Sequence, residues 1–121
     1  MSTTNTEPTV IKRDGLPPIR AVITHEWSDD NSIQGGNHAN RWTEVAIYKT
    51  KGGKYIAKIS RKTQWQGESD TCAADVFSTP HDVIRFLKEG EDRLGGVSQG
   101  AVEKACEQDE AFAAAYVVDV E

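Results

Sequence analysis

The chain has 121 residues, a formal charge of −5, and 37% hydrophobic against 27% charged residues. That length predicts one folded unit, since domains of roughly 100–150 residues are usual, and the composition excludes a disordered or membrane-embedded chain. The charge is divided: residues 1–67 carry 10 Lys/Arg and 6 Asp/Glu, while residues 68–121 carry 4 and 13, so +4 and −9 make up the −5. No apolar run follows the polar start Met1 to Thr9, and no stretch approaches the roughly 18–20 apolar residues of a bilayer span. A cytoplasmic chain without signal peptide or membrane contact is the expectation. Cys72 and Cys106 show no CxxC or zinc spacing and read as two small buried hydrophobes in a reducing compartment.

In chain order, residues 1–18 read as a flexible N-terminal arm, rich in Thr and Pro and broken by Gly15-Leu16-Pro17-Pro18. Residues 19–121 form a single α+β domain. Ile19, Ala21, Ile23 and Trp27 alternate with Arg20, Val22, Thr24 and Glu26, the period of a first strand, with His25 on the apolar side as a hydrogen-bonded core histidine. Ser28 to Arg41 reads as a polar loop containing Gly35-Gly36. Long connections of this kind are often functional or mobile.

A β-hairpin is the clearest local signal. Trp42 to Thr50 and Tyr55 to Lys62 are β-rich runs around Lys51-Gly52-Gly53-Lys54, and Gly-Gly supplies the positive φ angles of a two-residue turn. With that turn, paired positions sum to 105. The expected core face is then Trp42, Ala46 and Tyr48 opposite Thr63, Ile59 and Ala57, with a Glu44–Arg61 ion pair at its edge. Thr71 to Phe77 reads as a returning strand. Thr79-Pro80-His81-Asp82 is a strong helix start, with a cap, proline at the first position and an acid at the positive end. Val83, Ile84 and Leu87 form its buried stripe and Gly90 its stop. A second helix is predicted after Ser98 as cap, with Val102, Ala105 and Cys106 inward. A third is predicted after Asp109, carrying Phe112, Ala113 and Tyr116. Val117 to Val120 reads as a closing strand or a tail. The predicted fold is α+β: an antiparallel sheet of three to four strands built on the central hairpin 42–62, then two to three short helices packed on one face.

Catalytic signatures are sparse. His25, His38 and His81 with the two cysteines lack a nucleophile elbow or a local protease signature. His25, Glu26, Asp29, Asp30 and His38 are metal-ligand types, but their spacing fits neither HExxH nor an EF-hand and reads as local side-chain turns. A metal- or His-dependent enzyme is therefore the third reading. Gly95-Gly96-Val97-Ser98-Gln99-Gly100 lacks the GKS/GKT ending of a P-loop and reads as a flexible interhelix linker. No cofactor is implied.

The charge segregation carries the functional reading. Lys49, Lys51, Lys54, Lys58, Arg61 and Lys62 are six cations within fourteen residues without an acid. With Trp65 they form a candidate nucleic-acid surface. The sequence pI near 5.2 and the assignment of Tyr48 and Tyr55 to the core weigh against it. Protection of an edge strand by lysines is the leading reading of that run. In the acidic half, Glu89, Glu91, Asp92, Glu103, Glu107, Asp109 and Glu110 are candidate contacts to a basic protein groove. No family is recognised. A small, acidic α+β chain without catalytic signature is similar in kind to the inhibitors that mobile elements and phages direct against defence enzymes, anti-CRISPR proteins included, a likeness that rests on no motif. The expected function is a non-catalytic inhibitor that occupies a surface of a protein partner, such as a nucleic-acid-handling enzyme. Direct DNA or RNA binding through residues 49–62 is the alternative.

Overall fold

The structure, a computed structural model, describes residues 7–34, 36–118 and 120. Its centre is a four-stranded antiparallel sheet in the order β3 (Ile23–Asp30), β6 (Arg41–Thr50), β7 (Tyr55–Thr63) and β8 (Thr71–Phe77). Three helices, α1 (Pro80–Lys88), α2 (Gly96–Gln108) and α3 (Glu110–Ala115), supply the second layer of an α+β fold. Trp27, Val45, Ile47, Tyr55, Ala57 and Ile59 from the sheet enclose the main core with Val83, Leu87, Val102, Ala105 and Phe112 from the helices.

The hairpin forms, but one residue out of the predicted register. Lys49 pairs with Tyr55, so partners sum to 104. The Thr50 N–H donates to the Lys54 carbonyl at 2.9 Å, the Gly53 N–H to the Thr50 carbonyl at 3.0 Å, and the Lys54 N–H to Thr50 Oγ1 at 3.0 Å. Gly53 has φ +83° whereas Gly52 lies outside the left-handed region. The connection is therefore a turn followed by a left-handed glycine, not a two-residue loop. Because side chains alternate with period two, the slip turns one strand over relative to the other. Ala57 and Ile59 face the core as expected, but their partners there are Ile47 and Val45. Trp42, Ala46 and Tyr48 lie on the opposite face. The expected Glu44–Arg61 pair is likewise replaced: Glu44 opposes Ser60 and accepts from Trp42 Nε1 at 2.8 Å, and Arg61 opposes Thr43.

The opposite face is partly covered by the arm. β1 (Thr9–Ile11) pairs with β2 (Ile19–Ala21), and Ile11 and Ile19 bury themselves on Ile56 and Ala74. Asp14 lies along the outer edge of β8: its N–H donates to the Cys72 carbonyl at 2.9 Å, and its carboxylate accepts from the Cys72 N–H at 2.8 Å. Arg13 donates to the Ala74 carbonyl at 3.1 Å. The outer backbone of β8 at Cys72 and Ala74 is thus partly satisfied by the chain's own N-terminal part. The edge-protection reading of the lysine run does not hold, because β6 and β7 are the two central strands.

Within 28–41, strand β3 continues to Asp30 and a short pair forms between β4 (Ile33–Gln34) and β5 (Asn37–His38). Gly35 lies outside the described residues, as do Met1 to Thr6 of the arm. Helix α1 starts and stops as its sequence predicts: Thr79 Oγ1 accepts from the Asp82 N–H, and Glu89 and Gly90 end it at φ 52° and 84°. Helix α2 begins one turn earlier than predicted, at Gly96, since Leu94 and Val97 pack against the core and draw the chain into the helix before Ser98. Val117, Val118 and Val120 belong to no strand, and Asp119, on which the closing-strand alternative partly rests, lies outside the described residues.

Candidate functional site

The expected basic surface is dispersed by strand alternation. Lys49 and Arg61 stand on the helix-covered face, Lys58 and Lys62 on the other, and Lys51 and Lys54 at the turn. Three of the six cations are engaged by carboxylates. Lys49 meets Asp109 at 3.0 Å, Arg61 donates to both Glu89 oxygens at 3.0 and 2.8 Å, and Lys62 stands 3.8 Å from Asp70. Lys54 donates to Ser78 Oγ at 3.1 Å. Trp65 is half exposed, with the Arg41 guanidinium 5.7 Å from its ring centroid. Arg41 also clamps Glu68, and its hydrogen bonds, followed by that of Thr63, hold the Glu68 carboxyl down at about 2.

The acidic candidates divide in the same way. Asp109 is 5% exposed and lies inside the fold. One of its oxygens accepts from the Ala111 and Phe112 N–H groups at the start of α3, the other from the Tyr55 hydroxyl at 2.9 Å. Burial pushes its pKa upward, but hydrogen bonds from Lys49, Tyr55 and the Ala111 N–H outweigh that and hold it below the ordinary value. Glu89 is occupied by Arg61. Glu91, Asp92, Glu103, Glu107 and Glu110 are exposed and form no ion pair among the described residues. Ala101, Val102 and Ala105 anchor α2 on the sheet, which leaves Gln99, Glu103 and Glu107 on its outer face. Gln99 Nε2 donates to Glu103 at 2.9 Å and holds that carboxylate on the helix surface.

The His and Asp cluster is separated by the pleat. His25 and Asp29 fall on the helix side of β3, Glu26 and Asp30 on the other. Among the described residues no three His, Cys, Asp or Glu side chains converge as metal ligands. His25 is exposed, not a core residue: it stacks on Trp27 at 5.5 Å and shares a hydrogen bond with Thr24 Oγ1. Cys72 and Cys106 are free thiols, each half buried. Sequence reading missed a shallow cleft of about 180 Å³ on the uncovered part of the second sheet face. Ser28, Ala46 and Ser60 line it together with Asp30 on one side and Lys58 on the other.

Two tyrosines record the dryness of the sheet's two faces. Burial, then the hydrogen bond to Asp109, pushes Tyr55 up to about 12; burial, then the Glu26 charge, does the same for Tyr48. A pKa raised in the fold favours the neutral phenol, so the stabilisation is complete below about 10, the ordinary tyrosine value. It is lost as pH rises from there through 12. An absorbance titration of phenolate in the folded protein will show both ionising near 12, with one late step removed in Tyr55→Phe. Ionisation of both near 10 while the fold persists would contradict this environment.

Among the described residues no helix is long and apolar enough to cross a membrane. Comparison with protein-family models, curated proteins and solved structures finds no match.

Proposed function

We propose that this chain is a non-catalytic interaction protein that sets the exposed carboxylates of α2, α3 and the connection before α2 against a basic surface of a partner protein and blocks it, as an inhibitor of a nucleic-acid-handling enzyme would. The observation that carries this reading is the asymmetry in charge use. Glu91, Asp92, Glu103, Glu107 and Glu110 remain exposed without an ion pair among the described residues, while Lys49, Arg61 and Lys62 of the basic run are engaged within the fold. Glu103, Glu107 and Glu110 are fixed on packed helices and Glu91 and Asp92 lie on the connection before α2, and their combined field accelerates encounter with a basic groove. The likeness in kind to anti-defence inhibitors such as anti-CRISPR proteins supports the same mode.

Affinity capture from the native host, comparing the wild-type chain with a Glu103→Lys, Glu107→Lys variant, tests it. The double reversal changes the outer face by four charge units and should weaken capture of the specific partner about tenfold or more, with a steeper loss for wild type as salt rises. Equal capture by both chains would remove this surface from consideration. Salt-dependent binding of labelled DNA or RNA, lost when Lys51, Lys54 and Lys58 are changed to Glu, would replace the proposal with direct nucleic-acid binding.

A further inference from the structure

At the end of the sheet remote from the Gly52-Gly53 turn, the 89–96 connection and the start of α2 enclose a cleft of about 490 Å³. This lies within the range of small-molecule sites, roughly 300–1,000 Å³. Its lining includes Arg61, Lys88, Arg93, Leu94, Val97 and Ser98.

Four features converge on an anion. The first helical bond of α2 runs from the Gln99 N–H to the Gly95 carbonyl at 2.8 Å, which leaves the N–H groups of Gly96, Val97 and Ser98 without a backbone acceptor. Gly95 contributes no side-chain cap, and the first turn holds no acid to neutralise the positive end of a thirteen-residue helix. Arg93, two residues before the cap position, and Lys88, at the end of α1, have no carboxylate partner among the described residues. Most tellingly, Ser98 is only 7% exposed, yet its hydroxyl makes no hydrogen bond to any described residue. No fully enclosed side-chain oxygen is left unpaired among those residues, so the Ser98 hydroxyl opens onto the cleft that the residue lines. The rest of Ser98 is enclosed, so its hydroxyl meets the cleft with its donor and acceptor capacity unused by the described protein groups.

Glu89 and Glu91 also line the cleft, but Arg61 already occupies Glu89, and three cations face two carboxylates. Leu94 and Val97 add an apolar wall beside the helix end, and the cleft is several times larger than a lone phosphate requires. We propose that the N-terminal end of α2 binds a small phosphate monoester. The phosphoryl oxygens accept from the free amides of Gly96, Val97 and Ser98 and from the Ser98 hydroxyl, Arg93 and Lys88 balance their charge, and the organic body rests on Leu94 and Val97. The cleft shares Glu91 with the proposed acidic surface but is separate from Glu103 and Glu107 on the outer face of α2, and its binding of phosphate does not depend on that face.

Amide-resolved NMR titration of the full chain with inorganic phosphate, adenosine monophosphate and adenosine tests the assignment. Saturable shifts of the Gly96, Val97 and Ser98 amides are expected with both phosphate-bearing probes and not with adenosine. Tighter binding of the monophosphate identifies the monoester as ligand, and equal affinity narrows the site to the free oxyanion. Ser98→Ala removes a hydroxyl that holds nothing in the fold, so its melting temperature should be unchanged or higher while phosphate affinity falls about tenfold. Absence of shifts at these three amides, equal binding of adenosine, or unchanged phosphate affinity in Ser98→Ala would overturn the proposal.

Discussion

Phe112→Ala lowers the unfolding free energy by about 3–5 kcal/mol, the cost of deleting a fully buried aromatic ring and leaving a cavity. Phe112 is wholly enclosed, with its ring edge-on to Tyr55 at 5.2 Å and to Trp27 at 6.0 Å. It is the one buried side chain of α3, whose six residues are too few to hold a helix in water without tertiary packing. The ring therefore does two things: it packs over the sheet against Trp27 of β3 and Tyr55 of β7, and it fastens the last helix to the sheet. Against a total stability of about 5–15 kcal/mol for a domain, such a loss is severe. Urea unfolding followed by circular dichroism measures it, and Phe112→Leu, which keeps most of the volume, should lose clearly less. A loss below about 1 kcal/mol for the alanine variant would mean that α3 is not anchored by this ring.

How far the sequence specifies this arrangement differs element by element. Helix α1 is legible because its signals are local: Thr79, Pro80, Asp82 and Gly90 each act within one turn of their own position. The hairpin is legible in its existence but not in its register, since Gly52-Gly53 satisfies both a two-residue turn and a turn followed by a left-handed glycine. A signal was present in β6, where aligning the β-branched Val45 and Ile47 with Ile59 and Ala57 makes two aliphatic cross-strand pairs. Long-range roles are not legible. Asp109 reads correctly as a cap for α3, yet nothing near it in sequence announces that Lys49 and Tyr55 converge on it, and so it also appears as a surface acid. The same limit applies to Gly95 to Ser98. Their resemblance to a phosphate loop fails as a motif, and only the folded chain brings Arg61 and Lys88 to that helix end.

Asp109 is also where the second large effect is expected. Asp109→Ala removes the cap of α3, worth roughly 0.5–2 kcal/mol, and leaves the Tyr55 hydroxyl without its acceptor in a dry site, roughly 1–3 kcal/mol. Lys49 retains 32% of its side-chain exposure and can regain water, so its lost ion pair adds little. A combined loss of about 2–4 kcal/mol at neutral pH follows. Asp109→Asn keeps the cap but removes the charge: its single amide oxygen accepts from the Ala111 and Phe112 N–H groups, and its NH2 group then faces the Tyr55 hydroxyl, to which it can only donate. The pH dependence discriminates further. A carboxyl held below its ordinary value in the fold stabilises above about 4, the unfolded aspartate value, and that contribution disappears as pH falls through the folded value. Wild type should therefore lose stability more steeply than Asp109→Asn as pH is lowered below about 4, in urea titrations of the two proteins at matched ionic strength. Parallel acid profiles would show that the Asp109 charge contributes nothing to folding. In that case the carboxylate would act as a cap alone, and the join between α3, β6 and β7 would rest on Phe112.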